Sequence, residues 1–331
     1  MGKRLDWIDC GKGITILLVV LGHVADGYLS AGTFPEQKPI LLAIYNLIYA
    51  FHMPLFYCLS GFVFYLAYCV RREEKRKRFI SQVLNLVWIY VFFSIALWVF
   101  KMIFSDSVNT QFGLRDLVNI PIKPLGEFWY IYVLIFIYVI SYILENKQCD
   151  AVILGVSYVM SSIVKLFTFG IDFPLKSIFY YFFFFYLGVF MAKRVRKPVV
   201  IKHTKEVLLG FGMIAILSWS ICIIWKTSVH KIPVFCTLVG MVFCILAMCL
   251  FQHSKQIKLF GFLGKYSLEI YTMHTFLTAA NRSILIRGGV RNFYLNVSLN
   301  FIISVAVPVI VAVVLKKINL HRWLYHPVKI E

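Results

Sequence analysis

Ten stretches of about 20 mostly apolar residues follow one another along the chain, at 11–30, 40–70, 80–104, 125–144, 149–168, 174–192, 207–225, 232–251, 266–286 and 293–315. A run of that length crosses the hydrocarbon core of a bilayer as an α-helix, the form in which one segment satisfies its own backbone polar groups. The pattern predicts an all-α, polytopic integral membrane bundle of about ten transmembrane helices, built as a single membrane-embedded domain over 1–331. A water-soluble alternative lacks the surface it needs. Only 15% of the residues are charged and 60% are hydrophobic, against about a quarter charged in ordinary soluble domains. The segment 40–70 is too long for one upright span at about 1.5 Å per residue. Pro54 predicts a break within it, with either a kinked helix or a short interfacial helix leading into a span from about Phe51 to Val70.

Charge placement orients the bundle. With the amino end inside, 23 of the 34 Lys and Arg residues fall on the cytoplasmic side and 11 on the external side, the bias that places both termini in the cytoplasm. The expected location is a bacterial cell membrane of the inner or plasma type. The formal net charge of +19 raises the question of nucleic acid, but the basic residues cluster between apolar runs, which argues against it. RREEKRKR at 71–78 and KRVRK at 193–197 read as topology anchors near anionic lipid, some of them also attracting a polyanionic cosubstrate. The eight cysteines form no CxxC pair and read as small apolar residues, so neither a metal site nor a disulfide framework is expected. The polar stretch Met1 to Lys12 leads into an apolar run without a small-residue cleavage site, so no removed signal peptide is expected.

Against this apolar background a few ionisable residues stand out. The first span reads WIDCGKGITILLVVLGHVADGYL. Lys12 and His23 are separated by about three helical turns, share a face and stand about 16 Å apart along the axis. Lys12 is then near the cytoplasmic boundary and His23 well beyond the bilayer centre. Asp9, one turn before Lys12, pairs with it or caps the helix start. An ionisable group within an apolar span faces a bundle interior or a water-filled path, or is a satisfied structural residue. The second segment, AFHMPLFYCLSGF, brings His52 near the depth of His23. Two such imidazoles suit proton abstraction or orientation of a hydroxyl. Ser60 and Gly61 permit close helix approach, and Ser60 reads as packing rather than as a nucleophile because no activating base adjoins it in sequence. Glu127 in PLGEFWYIYV, beside Trp129 and Tyr130, either contacts a polar acceptor or belongs to an interfacial belt. In GKYSLEIYTMH, Glu269 and His274 line a cavity or bond between helices, with Tyr271 and His274 one turn apart on a shared face.

These segments resemble the landmarks of the integral-membrane acyltransferase family 3, and among its members those similar to fucose 4-O-acetylase and polysaccharide O-acetyltransferases. WIDCGKGITILLVVLGH is similar to the family's basic residue followed by ten residues and a histidine, met here by Lys12 and His23. Lysine stands where arginine is commoner, keeping the charge without the bidentate fork. FHMPLFYCLSGF resembles a second landmark through His52, Pro54, Ser60 and Gly61, and FWYIYVLIF and LGKYSLEIYTMH two later ones. The resemblance implies transfer of an acyl group, usually acetyl from acetyl-CoA as cosubstrate, to a sugar hydroxyl of a surface glycan or its lipid-linked precursor, with no permanently bound cofactor. It implies a cytoplasmic donor site at Lys12 and Asp9, catalysis by His23 with His52, and an acceptor met by Glu127, Trp129, Glu269 and His274. The lack of a long appended domain favours direct transfer to the acceptor or a separate partner. A transporter or exporter of a glycan, lipid-linked sugar or small organic ion is the alternative the span count also accommodates, and a noncatalytic scaffold is a third.

Overall fold

The structure, a computed structural model, describes residues 6–69, 74–104, 112–145, 149–167, 172–194, 234–251 and 256–330. Their regular structure is helical throughout. Helices α1 (Asp6–Ala31), α2 (Lys38–Tyr49), α3 (His52–Phe64), α4 (Lys75–Ile103) and α5 (Leu114–Val118) are followed by α6 (Trp129–Leu144), α7 (Asp150–Leu166) and α8 (Leu175–Arg194). The carboxyl-terminal third adds α9 (Val234–Phe251), α10 (Gln256–Lys265), α11 (Ser267–Arg287), α12 (Phe293–Lys317) and α13 (Leu320–Tyr325).

Six helical segments among the described residues are long and apolar enough to cross a membrane: Trp7–Ala31, Lys38–Tyr68, Lys75–Ile103, Gly126–Leu144, Leu175–Arg194 and Phe293–Lys317. The chain is thus an all-α, polytopic membrane protein. The expected spans at 149–168, 232–251 and 266–286 also fold as helices, α7, α9 and α11, outside those six. α11 is the polar exception, carrying Glu269, His274, Asn281, Arg282 and Arg287 within 21 residues. The expected span 207–225 lies outside the described residues. The break foreseen in 40–70 falls at Ala50 and Phe51, between α2 and α3. Pro54 sits in the first turn of α3, where a missing N–H removes no intrahelical bond.

Two compact units divide the chain. The first comprises Met1–Thr15, Asn46–Glu73 and Phe136–Lys265. Its helices touch backbone to backbone. A Cβ on Gly61 of α3 would lie 1.9 Å from the Phe185 carbonyl oxygen of α8, and one on Gly188 would lie 1.9 Å from the Cys58 carbonyl oxygen. The same device joins α1 to α10, where a Cβ on Gly13 would meet the Phe260 carbonyl oxygen at 1.9 Å and one on Gly264 the Asp9 carbonyl oxygen at 1.8 Å. Such contacts are how membrane helices gain dispersion energy that lipid tails would otherwise supply. Aromatic rings fill the remainder, with Phe64 against Tyr138 and Phe185 and Tyr57 stacked on Tyr181 at 4.5 Å.

The second unit comprises Ile16–Tyr45, Glu74–Ile135 and Tyr266–Glu331, and α11 packs along α12 within it. Here a polar seam joins the carboxyl-terminal half of α1 to both. Asn296, Asn300 and Ser304 recur every four residues on α12, so they share one face. Asn300 Nδ2 donates to the Thr278 carbonyl at 3.1 Å and to the Tyr28 hydroxyl at 3.3 Å, Ser304 Oγ donates to Asn300 Oδ1 at 3.2 Å, and the Tyr28 hydroxyl donates to Asn296 Oδ1. At the other end the chain terminus straps onto α4. Asn85 pairs with the Val328 backbone in both directions, at 3.1 and 2.9 Å, and Trp88 Nε1 donates to the Leu324 carbonyl at 3.2 Å.

Candidate active site

Helix periodicity brings Tyr271, His274 and Thr278 onto one side of α11, and within the second unit that side meets α1 at His23. The imidazoles of His23 and His274 have ring centroids 5.0 Å apart at an interplanar angle of 50°. His274 is fully buried. Its Nδ1 lies 2.7 Å from the Tyr271 carbonyl oxygen and 3.1 Å from that of Ile270. Carbonyl oxygens only accept, so Nδ1 carries the hydrogen and, in the neutral ring, Nε2 keeps its lone pair. That buried Nε2 has no hydrogen-bond partner.

Opposite this helix, the 3₁₀ turn Gly126–Phe128 leads into α6. Gly126 has a φ of +50°, a left-handed turn that glycine adopts without steric cost. The turn delivers Glu127 to the same site. The Tyr271 hydroxyl donates to the Glu127 carbonyl oxygen, and the Tyr271 ring is held edge-on by Tyr130 and Phe128. The Glu127 carboxylate acts electrostatically on His274, Tyr271 and Lys101. Its Oε1 is buried and, like His274 Nε2, without a hydrogen-bond partner. Lys101, in the last turn of α4, lies over the Phe112 ring at 4.1 Å. Trp129 follows as the first residue of α6, half-buried.

The remaining residues singled out by sequence occupy other surroundings. His52 belongs to the first unit, buried, with Nδ1 2.7 Å from the Ile48 carbonyl oxygen and its ring edge-on to Tyr49. Lys12 and Asp9 also belong to the first unit, on the part of α1 that crosses α10 through Gly13 and Gly264. Asp9 is buried and Lys12 half-buried. Glu269 is in the second unit at the start of α11, where His321 Nε2 donates to its Oε1 at 2.7 Å and Lys316 Nζ stands 3.8 Å away. It ties α11 to the chain terminus. Gly61 forms the close helix contact its sequence context suggested.

Sequence reasoning passed over Arg282. Counted there among external charges, it is 6% exposed. Its Nη1 donates to the Gly27 carbonyl oxygen at 2.8 Å, and Asp26 acts on it electrostatically. A positive charge one turn from a helix end reads as a topology marker, so periodicity alone carries no sign of this bond between residues 255 positions apart. Lys101 escaped for the same reason.

A family model described as an acyltransferase domain matches residues 5–317. Among curated proteins, the nodulation protein NolL of Mesorhizobium japonicum is 27% identical over 125 residues, which cover 38% of this chain and 31% of that protein. The match therefore spans less than a third of the relative's length. No solved structure matches the chain.

Proposed function

Because this chain belongs to the acyltransferase-domain family, whose model matches residues 5–317, we propose that it is a membrane O-acyltransferase that moves acetyl from acetyl-CoA to a hydroxyl of a cell-surface glycan or its lipid-linked precursor. Acyl transfer follows from the family. The acetyl group, the CoA donor and the sugar acceptor rest on the narrower resemblance to fucose 4-O-acetylase-like and polysaccharide-modifying members. The observation that carries the reading is the pairing of two imidazoles, half-buried His23 and fully buried His274, with ring centroids 5.0 Å apart. Buried ionisable groups are costly in a bilayer and mark sites of chemistry.

In the proposed reaction His23 is the general base. It takes the proton of the acceptor hydroxyl as that oxygen attacks the thioester carbonyl carbon. The C–S bond then breaks, and the imidazolium returns the proton to the departing CoA sulfur, giving an ester and free thiol. No covalent enzyme intermediate is required. Lys12 and Asp9 serve the donor from the cytoplasmic side, Lys12 by its charge toward a CoA phosphate. His52 orients the acceptor hydroxyl, and Glu127, Trp129 and His274 meet the acceptor. Both termini are cytoplasmic in this arrangement, on the 23 to 11 charge partition.

The test is incubation of membranes containing the protein with isotope-labelled acetyl-CoA and extracted envelope glycans, followed by mass spectrometry of all acylated products. A labelled ester on a glycan, absent when His23 is replaced, is the expected result. Substrate flux across the membrane without consumption of the thioester points instead to the transporter reading.

A further inference from the structure

Two buried polar atoms of the second unit, His274 Nε2 and Glu127 Oε1, are without a hydrogen-bond partner. They stand at one place in that unit. Tyr271 bonds the backbone of Glu127 and belongs to the same helix side as His274, whose ring lies beside that of His23. Both atoms are also of one chemical kind. His274 Nδ1 is committed to two carbonyl oxygens, so Nε2 is an acceptor, and a carboxylate oxygen only accepts. Burying an acceptor without a donor is destabilising unless something else is gained. Along the polar seam of the same unit, by contrast, buried groups are paired. Tyr28, Asn296, Asn300 and Ser304 all bond one another.

We infer that His274 Nε2 and Glu127 Oε1 form an acceptor subsite for a ligand bringing two hydrogen-bond donors at once, and that this ligand is a sugar with two neighbouring free hydroxyls. The inference rests on the O-acyltransferase reading and narrows its substrate class. One hydroxyl donates to Glu127 Oε1 and fixes the sugar. The neighbouring hydroxyl donates to His274 Nε2 in the resting complex and, lying beside His23, turns its O–H to that imidazole, which takes the proton as the oxygen attacks the thioester. His274 is thus a substrate-contacting residue of fixed tautomer. A site built around buried acceptors discriminates steeply against analogues that lack the matching donor, because the analogue leaves the acceptor both dry and unpaired.

The subsite is tested with purified protein, labelled acetyl-CoA and a set of probe acceptors: methyl glycopyranosides with vicinal hydroxyls, their monodeoxy analogues, cyclohexanol and cyclohexylamine. The expected result is acetylation of at least one vicinal-diol glycoside, with kcat/KM lowered about 10- to 100-fold when the hydroxyl next to the acetylated one is replaced by hydrogen. E127Q, which exchanges an acceptor for a mixed donor and acceptor of the same shape, is expected to level that preference. H274Q is expected to raise KM for the glycoside. Thermal transition and acetyl-CoA affinity, measured for each variant, separate a binding defect from misfolding. Cyclohexanol or cyclohexylamine acetylated as well as the best diol overturns the inference while leaving acyl transfer standing. So does an E127Q protein that keeps the full preference for the neighbouring hydroxyl. Consumption of the thioester without ester formation on any sugar overturns it too, and thioester left intact with every acceptor overturns the O-acyltransferase reading itself.

Discussion

The first unit is packed mainly by glycine and aromatic contacts, with bonds from Ser161, Thr237 and Lys193 between its helices, and the second by a connected run of hydrogen-bonded side chains. In the first, Gly61, Gly188, Gly13 and Gly264 bring four helix surfaces to backbone distance, and Phe64, Tyr138, Phe185, Tyr57 and Tyr181 fill what is left. In the second, Tyr28, Asn281, Arg282, Asn296, Asn300 and Ser304 bond across α1, α11 and α12. Glycine contacts give dispersion energy without a polar group to satisfy, so they are at home with lipid around them. A polar seam has the opposite character. It requires complete pairing, and an atom left over, such as His274 Nε2, is available to a ligand. The paired imidazoles of His23 and His274 lie in this second unit.

The comparison breaks most sharply at His23. If the second unit holds the chemistry, H23A and H23Q keep membrane insertion, thermal transition and acetyl-CoA affinity near those of the parent protein, and lower acetyl transfer by about 10²- to 10⁴-fold, the range for a positioned acid or base. Near-parental transfer by both variants, assayed on one acceptor in monodisperse preparations, removes the role from His23 and shifts attention to His52 in the first unit.

A substitution at a glycine contact of the first unit is expected to act on folding alone. The Cβ of G188A would enter 1.9 Å from the Cys58 carbonyl oxygen, 2.8 Å from its carbon and 2.9 Å from the Phe62 amide nitrogen. These are backbone atoms and cannot swing aside, so overpacking of about 3 kcal/mol is expected. The readout is a lowered thermal transition in detergent, with transfer per folded molecule unchanged. Equal thermal transitions would mean that α3 and α8 have room to separate, and that contact is not what holds the unit.

The second unit answers differently to loss of one amide. Asn300 supplies two donors and one acceptor to Thr278, Tyr28 and Ser304. N300L keeps the volume roughly and strands several buried groups at once. A loss of about 1–2 kcal/mol is expected, since intramembrane hydrogen bonds are individually modest. Because Thr278 is one turn from His274 on α11, transfer per folded molecule should fall as well. A stability loss with unaltered transfer would separate the seam from the site.

Much of this architecture was written in hydropathy. Apolar runs of membrane length predicted α1, α4, α6, α8 and α12, and the excess length of 40–70 together with Pro54 predicted the break before α3. The site was legible only in part. His23, Glu127 and His274 stand out because ionisable groups in apolar surroundings are rare, and the spacing of Tyr271 and His274 put them on one face. Which partners each would meet had no signal, because pairing across some 250 residues leaves no period in the sequence. Glu269 looked as available as His274, yet His321 and Lys316 occupy it. Arg282 looked like a surface charge, yet it is bonded to Gly27 in the interior of the unit.

The carboxyl-terminal strap was equally hidden, since its basic residues read as anchors. It offers the mildest test. Asn85 holds the Val328 backbone at both its N–H and its carbonyl, as a neighbouring strand would, and Ser81 Oγ donates to the same carbonyl oxygen at 2.6 Å. Upstream, Tyr325 is fully buried with its hydroxyl 2.9 Å from Thr272 Oγ1, two residues before His274. The strap therefore bears on the helix that carries the candidate site. N85A removes the paired bonds but leaves Ser81, Trp88 and Tyr325 in place, so the expected loss is about 1 kcal/mol. Amide hydrogen exchange should quicken across Leu324–Ile330 and, more weakly, around Thr272, while amides of α3 and α8 keep their rates. Quickening confined to the last few residues would show that the strap closes over α4 without steadying α11. Quickening in α3 and α8 as well would show that the two units do not respond separately, and the contrast between a contact-packed and a hydrogen-bonded unit would lose its functional meaning.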